Sequence, residues 1–211
     1  MRVIPASNEH IEAVVDIFCS AFENSISFFT PINDGLKKAF HHVFSLLLTV
    51  FGEGFMVALV EGKVCGYIVM ADNIKRLWLH ALFSGFLFKM AAELISGVFD
   101  LRLSTIYKII KNKLFYMRFE LSTDAIAQVL SIAVSPMHQG KGIGRRLLEA
   151  GIKHVESLGI NKIKLEVRPE NTAAVRLYES FGFHPKGKTR DLQGEWLIMV
   201  RDVAQKKQCP A

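Results

Sequence analysis

Apolar residues at helical spacing indicate two helices in the first quarter of the chain. The first helix follows Asn8, which can cap it, and its apolar positions are Ile11, Val14, Val15, Phe18 and Phe22. The second, Leu36–Val50, resumes after Asn33-Asp34-Gly35, a combination that favours a break in regular structure. We therefore expect two amphipathic helices near the N-terminus.

Short apolar runs bounded by turns predict strands. In the first third of the chain these are Arg2–Pro5 and the arms of a hairpin, Phe55–Val60 and Val64–Ala71. Later in the chain, strands and helices alternate: strand Ala127–Val134, helix Gly142–Leu158, strand Lys162–Val167, helix Thr172–Phe181, and strands Phe183–Thr189 and Glu195–Val200. This order predicts one α/β (α+β) domain with a mixed sheet over residues 1–203, followed by a flexible tail at 204–211.

Residues 74–122 interrupt this alternation between the third and fourth predicted strands. Leu77–Phe88 is rich in leucine and aromatic residues, but His80 interrupts it and Lys89 follows, so it falls short of the ~18 apolar residues of a membrane span. Ser104–Phe119 has the pattern of a basic amphipathic helix. Three roles remain open for the segment: packing on the domain or on a second subunit, binding an anionic or amphipathic acceptor, and peripheral membrane contact.

The net charge of +6 is concentrated in this same segment. Residues 74–118 contain eight basic and two acidic residues, whereas the rest of the chain contains eighteen of each sign. The positive charge therefore belongs to one segment rather than to the whole surface, and we expect no nucleic-acid partner.

The composition bounds the remaining possibilities. With 211 residues and 50% hydrophobic content, the chain is long enough to bury one sizeable core. Cys19, Cys65 and Cys209 are far apart, which indicates neither a zinc site nor a disulfide framework, and we expect no bound metal. The N-terminus becomes polar by Ser7, which leaves no room for the apolar core of a signal peptide, so we expect a cytoplasmic protein.

A glycine-rich loop joins the strand Ala127–Val134 to the helix that follows it. Its sequence is Gln139-Gly140-Lys141-Gly142-Ile143-Gly144, and Arg145 and Arg146 follow. Glycine lacks a Cβ atom, so successive backbone N–H groups can converge on an anion, and the helix N-terminus adds partial positive charge. The loop is therefore predicted to hold a pyrophosphate.

Other uses of such a loop fit less well. A Walker A loop requires Ser or Thr after the lysine, but Gly142 follows Lys141. A dinucleotide-binding Gly-x-Gly-x-x-Gly motif would require glycine where Arg145 stands, although Glu166 lies near the expected distance for its acidic partner. A plain tight turn also remains possible from the loop alone.

Asn171 and Tyr178 form a second candidate pair, on the predicted helix after the strand Lys162–Val167. They are seven residues apart, which is two helical turns, so both side chains lie on one face of the helix. Taken alone, Asn171 could be a helix cap and Tyr178 an aromatic at the core edge. Taken with the loop, both could face a common ligand.

Together, the loop and this pair resemble the GNAT acyltransferase superfamily in order, spacing and flanking residues over 129–183. The resemblance implies a GNAT-like central mixed β-sheet flanked by helices, with residues 74–122 as a helical insert between the third and fourth strands. It also implies an enzyme that transfers an acetyl or other acyl group from acetyl-CoA directly to an amine, which we expect to belong to a small molecule.

The resemblance assigns roles residue by residue. The loop Gln139–Gly144 would hold the CoA pyrophosphate, with Gln139 in first place of an Arg/Gln-x-x-Gly-x-Gly/Ala pattern. Asn171 would lie beside the cofactor arm, and Tyr178 would be the acid that protonates the departing CoA thiolate. The strand residues expected to pair with the pantetheine arm are Ile132, Ala133 and Val134.

Some features stay open. The general base is not identified: the candidates are Glu120, Asp124, Glu166, His80 and a water molecule, and members of the family differ in this group. The insert at 74–122 departs from the usual tight connection, so the acceptor, the acyl length and the oligomeric state, a homodimer included, are not specified. The alternatives are an inactive acyl-CoA-binding module, which the presence of Tyr178 disfavours, and a transferase that acts at a membrane surface.

Overall fold

The computed structural model describes residues 1–100, 105 and 126–203. In this part of the chain seven strands form one sheet in the order β1-β2-β3-β4-β5-β7-β6. The strands are β1 (Arg2–Pro5), β2 (Phe55–Val60), β3 (Lys63–Ala71), β4 (Ile126–Val134), β5 (Lys162–Val167), β6 (His184–Asp191) and β7 (Gly194–Asp202). The helices are α1 (Ile11–Ala21), α2 (Glu23–Ser27), α3 (Asp34–Phe51), α4 (Ile74–Phe83), α5 (Phe86–Ile95), α6 (Ile143–Ser157) and α7 (Thr172–Ser180).

The sheet is mixed, as predicted. The pair β4–β5 is parallel, and the other neighbouring strands are antiparallel. The helix α6 connects the two parallel strands, as a crossover between parallel neighbours requires. The predicted strand and helix positions are confirmed, with ends that differ by a few residues.

One prediction about a helix start near the N-terminus was wrong. Asn8 lies inside a 3-10 turn, Asn8–His10, and the residue at the cap position is Ser7, whose backbone N–H donates to Nδ1 of His10 at 3.0 Å. The predicted break before the second helix is present, but α3 begins two residues early, because Oδ1 of Asn33 caps it by accepting from the backbone N–H of Leu36 at 2.7 Å. In both places a polar side chain satisfies backbone groups that the first helical turn leaves free.

Each face of the sheet buries its own apolar cluster. On one face, α6 and α7 pack on the sheet through residues such as Leu147, Leu148 and Tyr178. The approach of α6 is close, since a Cβ on Gly151 would lie 2.9 Å from a side-chain carbon of Met70. On the other face, α1 and α3 cover the sheet with a cluster that includes the aromatic residues Phe44, Phe51, Phe55 and Tyr67.

The predicted insert lies between β3 and β4, where it begins with the helices α4 and α5. We call Ile74–Ile95 the α4–α5 hairpin. The predicted amphipathic helix Ser104–Phe119 falls outside the described residues, apart from Thr105, which is helical and buried. The predicted tail at 204–211 also lies outside them.

The α4–α5 hairpin is firmly attached to α3. After α5 the chain reaches Phe99, which is buried, and the backbone there passes so close to Gly35 that a Cβ on Gly35 would lie 2.5 Å from the Phe99 carbonyl. His42 of α3 and Glu93 of α5 are in contact, with Nε2 and Oε2 2.8 Å apart. The hairpin therefore has a fixed position on the domain.

No single helix among the described residues has the length and apolar composition to cross a membrane. The helices α4 and α5 reach that length and composition together, but the pair is bent by 63° at the break between them.

We expect Gly35→Ala to destabilise the protein, because its Cβ would meet backbone atoms of Phe99 that no side-chain rotation can move away. The expected loss is about 1–3 kcal/mol in the free energy of unfolding, measured by urea denaturation. Gly187→Ala is the matched control, since a Cβ at Gly187 meets nothing within 4 Å. Equal stability of the two variants would contradict the close contact between Gly35 and Phe99.

Candidate functional site

A cleft opens between β4 and β5 because the two strands pair over a short length. Their paired residues are Ile126–Lys162, Ala127–Ile163 and Gln128–Lys164. Beyond these, the described residues contain no further pair between the two strands, although β4 continues to Val134 and β5 to Val167. Backbone groups on the facing edges are thus left to bind something other than a strand.

An irregularity in β4 lies at the point where the cleft begins. Val69 of β3 pairs with Ser131, but the next residue, Met70, pairs with Val129, so Leu130 is an extra residue in β4. Such a bulge bends a strand, increases its twist and leaves a residue outside the ladder. Nearby, the buried hydroxyl of Tyr67 and the hydroxyl of Ser131 lie 2.7 Å apart, which joins the centres of β3 and β4.

Ile132, Ala133 and Val134, the residues expected to pair with a cofactor arm, lie in the part of β4 beyond its last pair with β5. On their other side they pair with β3, where their partners are Ile68, Tyr67 and Gly66. One edge of this strand segment is therefore fixed in the sheet while the opposite edge faces the cleft.

The glycine-rich loop begins immediately after this strand segment. Gly140 and Gly142 have φ angles of +74° and +76°, which residues with a Cβ rarely adopt. A Cβ built on either residue would meet no atom within 4 Å, so the space in front of the loop is open. The glycines thus allow the backbone to follow this path and leave room for a ligand to approach it closely.

The first turn of α6 has no side-chain cap. The residue at the cap position is Gly142, and the first backbone bond of the helix runs from the N–H of Arg146 to its carbonyl. The N–H groups of the first turn, from Ile143 to Arg145, precede that bond and lack intrahelical partners. With the helix dipole, they form a site that suits a phosphate or another anion.

The other loop side chains hold the loop in shape. The Nε2 of Gln139 donates to the carbonyl oxygen of Val134 at 3.2 Å, which closes the loop on the end of β4. The Nζ of Lys141 donates to the carbonyl oxygen of Met137 at 3.2 Å. Ile143 is 2% exposed and anchors the helix start in the core.

Contacts between α6 and α7 bring the two predicted halves of the site together. A Cβ on Gly144 would lie 3.7 Å from side-chain atoms of both Leu177 and Val134, an ordinary contact distance. Arg145 donates to Oγ of Ser180 at 2.9 Å and stacks on the ring of Phe181. The start of α6 and the C-terminal half of α7 are therefore side by side.

Asn171 caps α7, because its Oδ1 accepts from the backbone N–H of Ala174 at 3.1 Å. The rest of the side chain is exposed, and its amide NH2 group donates no hydrogen bond to the described residues. The capping role that the sequence left open is therefore present, and the NH2 group remains available to a ligand.

Tyr178 is 6% exposed and packs its ring edge-on against Phe183. Burial raises the pKa of the Tyr178 hydroxyl to about 12. Among the described residues no group hydrogen-bonds this hydroxyl. A phenol in this state keeps its proton at neutral pH.

The four candidate residues for the general base separate clearly. Glu120 and Asp124 lie outside the described residues. His80 lies on the inserted α4, where it lines a pocket with His42 and Lys89 rather than the cleft. Glu166 is on β5, two residues past the last pair with β4, and its Oε1 is 2.9 Å from Nζ of Lys164.

Sequence reasoning missed the contacts of the β6–β7 turn. The Nε2 of Gln193 donates to the carbonyl oxygen of Ser25 in α2 at 2.6 Å. Arg168, directly after β5, forms an ion pair with Asp191 and lies 3.9 Å above the ring of Trp196. No local pattern indicates these contacts, because the residues are far apart in sequence.

Comparison with known proteins identifies the family. Residues 12–183 match the Acetyltransferase (GNAT) family. A mycothiol acetyltransferase from Thermobispora bispora is 48% identical over 58 residues, 28% of this chain and 20% of that protein. The [ribosomal protein bS18]-alanine N-acetyltransferase of Escherichia coli K12 is 42% identical over 82 residues, 33% of this chain and 55% of that protein. The matched segments thus span about a fifth and about half of these relatives.

Solved structures with the same fold cover nearly the whole chain. Ard1 from Thermoplasma volcanium has a TM-score of 0.61 and 19% identity, covering 96% of this chain and 97% of that one. The structure of yncA from Salmonella typhimurium with its cofactor acetyl-CoA has a TM-score of 0.57 and 18% identity, covering 100% and 98%. At these identities the likeness concerns the fold. Since the family match covers most of the chain and the fold agrees with it, the chain belongs to the acetyltransferase (GNAT) family, whose acyl donor is acetyl-CoA.

Proposed function

We propose that this protein is an N-acetyltransferase that transfers the acetyl group of acetyl-CoA to an amine of a small molecule. One observation carries the proposal: the glycine-capped start of α6 and the protonated Tyr178 of α7 belong to adjacent helices beside the same cleft. The first can hold a pyrophosphate, and the second can protonate a leaving group.

The cleft suits an extended cosubstrate. Three N–H groups at the start of α6 are available to the pyrophosphate, and the open space before Gly140 and Gly142 admits it. The free edge of Ile132–Val134 can bond the amides of the pantetheine arm as a neighbouring strand would. The NH2 group of Asn171 can donate to the same arm. This arrangement would place the thioester near the bulge at Leu130.

Acetyl-CoA supplies an activated acyl carbon, and the chain must position an amine against it. The amine lone pair forms the new C–N bond, the C–S bond breaks, and Tyr178 gives its proton to the thiolate. The bulge leaves a backbone residue outside the ladder at Leu130, and its N–H can stabilise charge on the carbonyl oxygen.

Among the four candidate residues, we assign the general base to Glu166. It lies on β5 just beyond the point where the strands separate, and its side chain is 7% exposed. It alternates along β5 with Leu165 and Val167, which belong to the apolar cluster with Tyr178, so Glu166 faces the opposite side of the sheet. An acid and a base on opposite faces could serve the thiolate and the amine separately.

We place the small acceptor beside α2 and the β6–β7 turn. The hydrogen bond between Gln193 and Ser25 connects these two elements. One relative is named for a small thiol compound and another for a ribosomal protein, so both acceptor classes belong in the test. For the compartment we propose the cytoplasm, which fits the free thiols of Cys19 and Cys65.

Transfer itself is tested by release of free CoA thiol from acetyl-CoA in the presence of amines. We expect amine-dependent release with at least one member of a panel of amino sugars, polyamines and amino-acid derivatives, with the acetylated product identified by mass spectrometry. Peptides with free N-termini form the comparison panel. Acetylation of peptides alone would reject the small acceptor, and tight acetyl-CoA binding with no release for either panel would indicate a binding module.

The proposed pyrophosphate site at the glycine-rich loop, which we call the cradle, is tested by Gly142→Val. We expect this substitution to abolish detectable acetyl-CoA binding in calorimetry. The substitution places a branched side chain at a positive φ angle and in the space that the pyrophosphate would occupy. Gly62→Val is the matched control, since Gly62 has a similar φ of +79° in the β2–β3 turn. Both variants should lose comparable stability, so retained binding in Gly142→Val, or loss in both, would count against the cradle.

The acid and base are tested together by Tyr178→Phe and Glu166→Gln. We expect Tyr178→Phe to lower kcat by roughly 100-fold or more while leaving acetyl-CoA affinity within about twofold. Because burial raises the pKa of Tyr178 to about 12, its proton remains bound as pH rises to about 10, and the wild type should show no alkaline loss of kcat below that pH.

The two variants should differ in their pH profiles. For Glu166→Gln, we expect kcat to recover as pH approaches the pKa of the amine, since a deprotonated amine no longer needs a base to become nucleophilic. Tyr178→Phe should show no such recovery. Single-turnover rates at saturating acetyl-CoA are the measurement, and wild-type rates in Tyr178→Phe, or parallel profiles in both variants, would refute the assignments.

A further inference from the structure

The α4–α5 hairpin exposes an unusual number of large apolar side chains. Fourteen such side chains are exposed in the described part of the chain, and eight of them fall within residues 78–98. Phe83 and Phe88 are each 81% exposed and stand on either side of the bend between the helices. The others are Trp78, Leu79, Leu82, Leu87, Ile95 and Val98. A patch of this kind on a domain surface marks an interaction site.

These side chains are displayed by a rigid support. On the inner side of the hairpin, Ala81 is buried and His42 contacts Glu93. The backbone of Phe99 lies so close to Gly35 that a side chain at position 35 would not fit. The inner surface is thus already satisfied by α3, and the exposed residues on the outer surface are held in place without being needed for that contact.

The charge of the surrounding sequence indicates the kind of partner. Lys75 and Lys89 are exposed on the hairpin. Residues 101–119, which follow it, contain five basic and no acidic residues. A hairpin with apolar tips, followed in the sequence by concentrated positive charge, complements a surface that is apolar inside and anionic outside, which is the chemistry of an anionic lipid bilayer.

We infer that the α4–α5 hairpin docks this protein on anionic membranes, with Phe83 and Phe88 inserted at the level of the lipid headgroups. The 63° bend and the attachment to α3 favour shallow insertion of the bend over a crossing of the bilayer. Trp78, half-exposed on α4, would lie at the interface, where indole side chains are favoured.

The test measures partition of the full-length protein into vesicles of phosphatidylcholine with 30 mol% phosphatidylglycerol, by sedimentation at several salt concentrations. We expect binding that weakens as salt increases, and a loss of roughly tenfold or more for Phe83→Ser/Phe88→Ser, because two exposed aromatic groups no longer leave water. Leu158→Ser is the matched control. Leu158 is 48% exposed at the far end of α6 and should bind as the wild type does.

Fluorescence identifies the inserted part. On addition of the anionic vesicles, tryptophan emission should shift to the blue in the wild type and in Trp196→Phe, but not in Trp78→Phe. No binding, binding unchanged in Phe83→Ser/Phe88→Ser, or a shift that survives in Trp78→Phe would each overturn the inference.

Two further measurements separate membrane docking from other occupants of the same surface. Sedimentation velocity of the wild type without lipid would reveal a dimer. If the Phe83→Ser/Phe88→Ser variant is then a monomer, the surface binds a second copy of the chain instead of a membrane. Thermal unfolding of the double variant should match the wild type. A fall of several degrees in Tm would mean that another part of the chain covers these phenylalanines.

Discussion

Strands β4 and β5 form only three residue pairs, and the candidate site depends on this short pairing. β4 follows β3 along its length and takes an extra residue at Leu130, which increases its twist where β5 would otherwise continue beside it. The glycine-rich loop follows the end of one separating strand, and α7 follows the end of the other. Because the strands diverge, these two pieces flank a cleft instead of covering a closed sheet.

The local parts of this arrangement could be predicted from the sequence, and the long-range parts could not. Glycines at 140 and 142 determine the loop path from their own backbone freedom, so their pattern carries the information. The separation of β4 from β5 is not visible in the sequence, since both strands have an ordinary alternation of apolar and polar residues. The contact between Gln193 and Ser25 joins positions 168 residues apart, and only the folded chain brings them together.

Asparagine shows how the same residue type can mislead or inform. Asn33 suggested a break, and it both ends an irregular segment and caps the helix that follows, because its side chain accepts a hydrogen bond from the first turn. Asn171 suggested a ligand and also caps a helix. The helix predicted to carry Tyr178 is present, but Asn171 is its cap residue rather than part of it, and the use of each polar atom depends on neighbours that only the structure identifies.

With both proposals together, the two ends of β4 would serve separate tasks. Its nine residues extend over about 30 Å, with the insert before Ile126 and the glycine-rich loop after Val134. A molecule held at a lipid surface by the α4–α5 hairpin would therefore keep the loop end in water, where CoA can enter and leave. An acceptor carried by the membrane would meet the opposite end of the same strand.

If acetyl-CoA binds at the uncapped start of α6 as proposed, its supply would affect the survival of the protein in the cell. A helix whose first turn is completed by a bound anion is more stable when that anion is present, and at a hundred times its dissociation constant a ligand adds about 2.7 kcal/mol to the stability of a fold. Cellular proteases act on the unfolded fraction, so its decrease lengthens the life of the chain. Cells rich in acetyl-CoA would then accumulate more of this enzyme with no change in its synthesis.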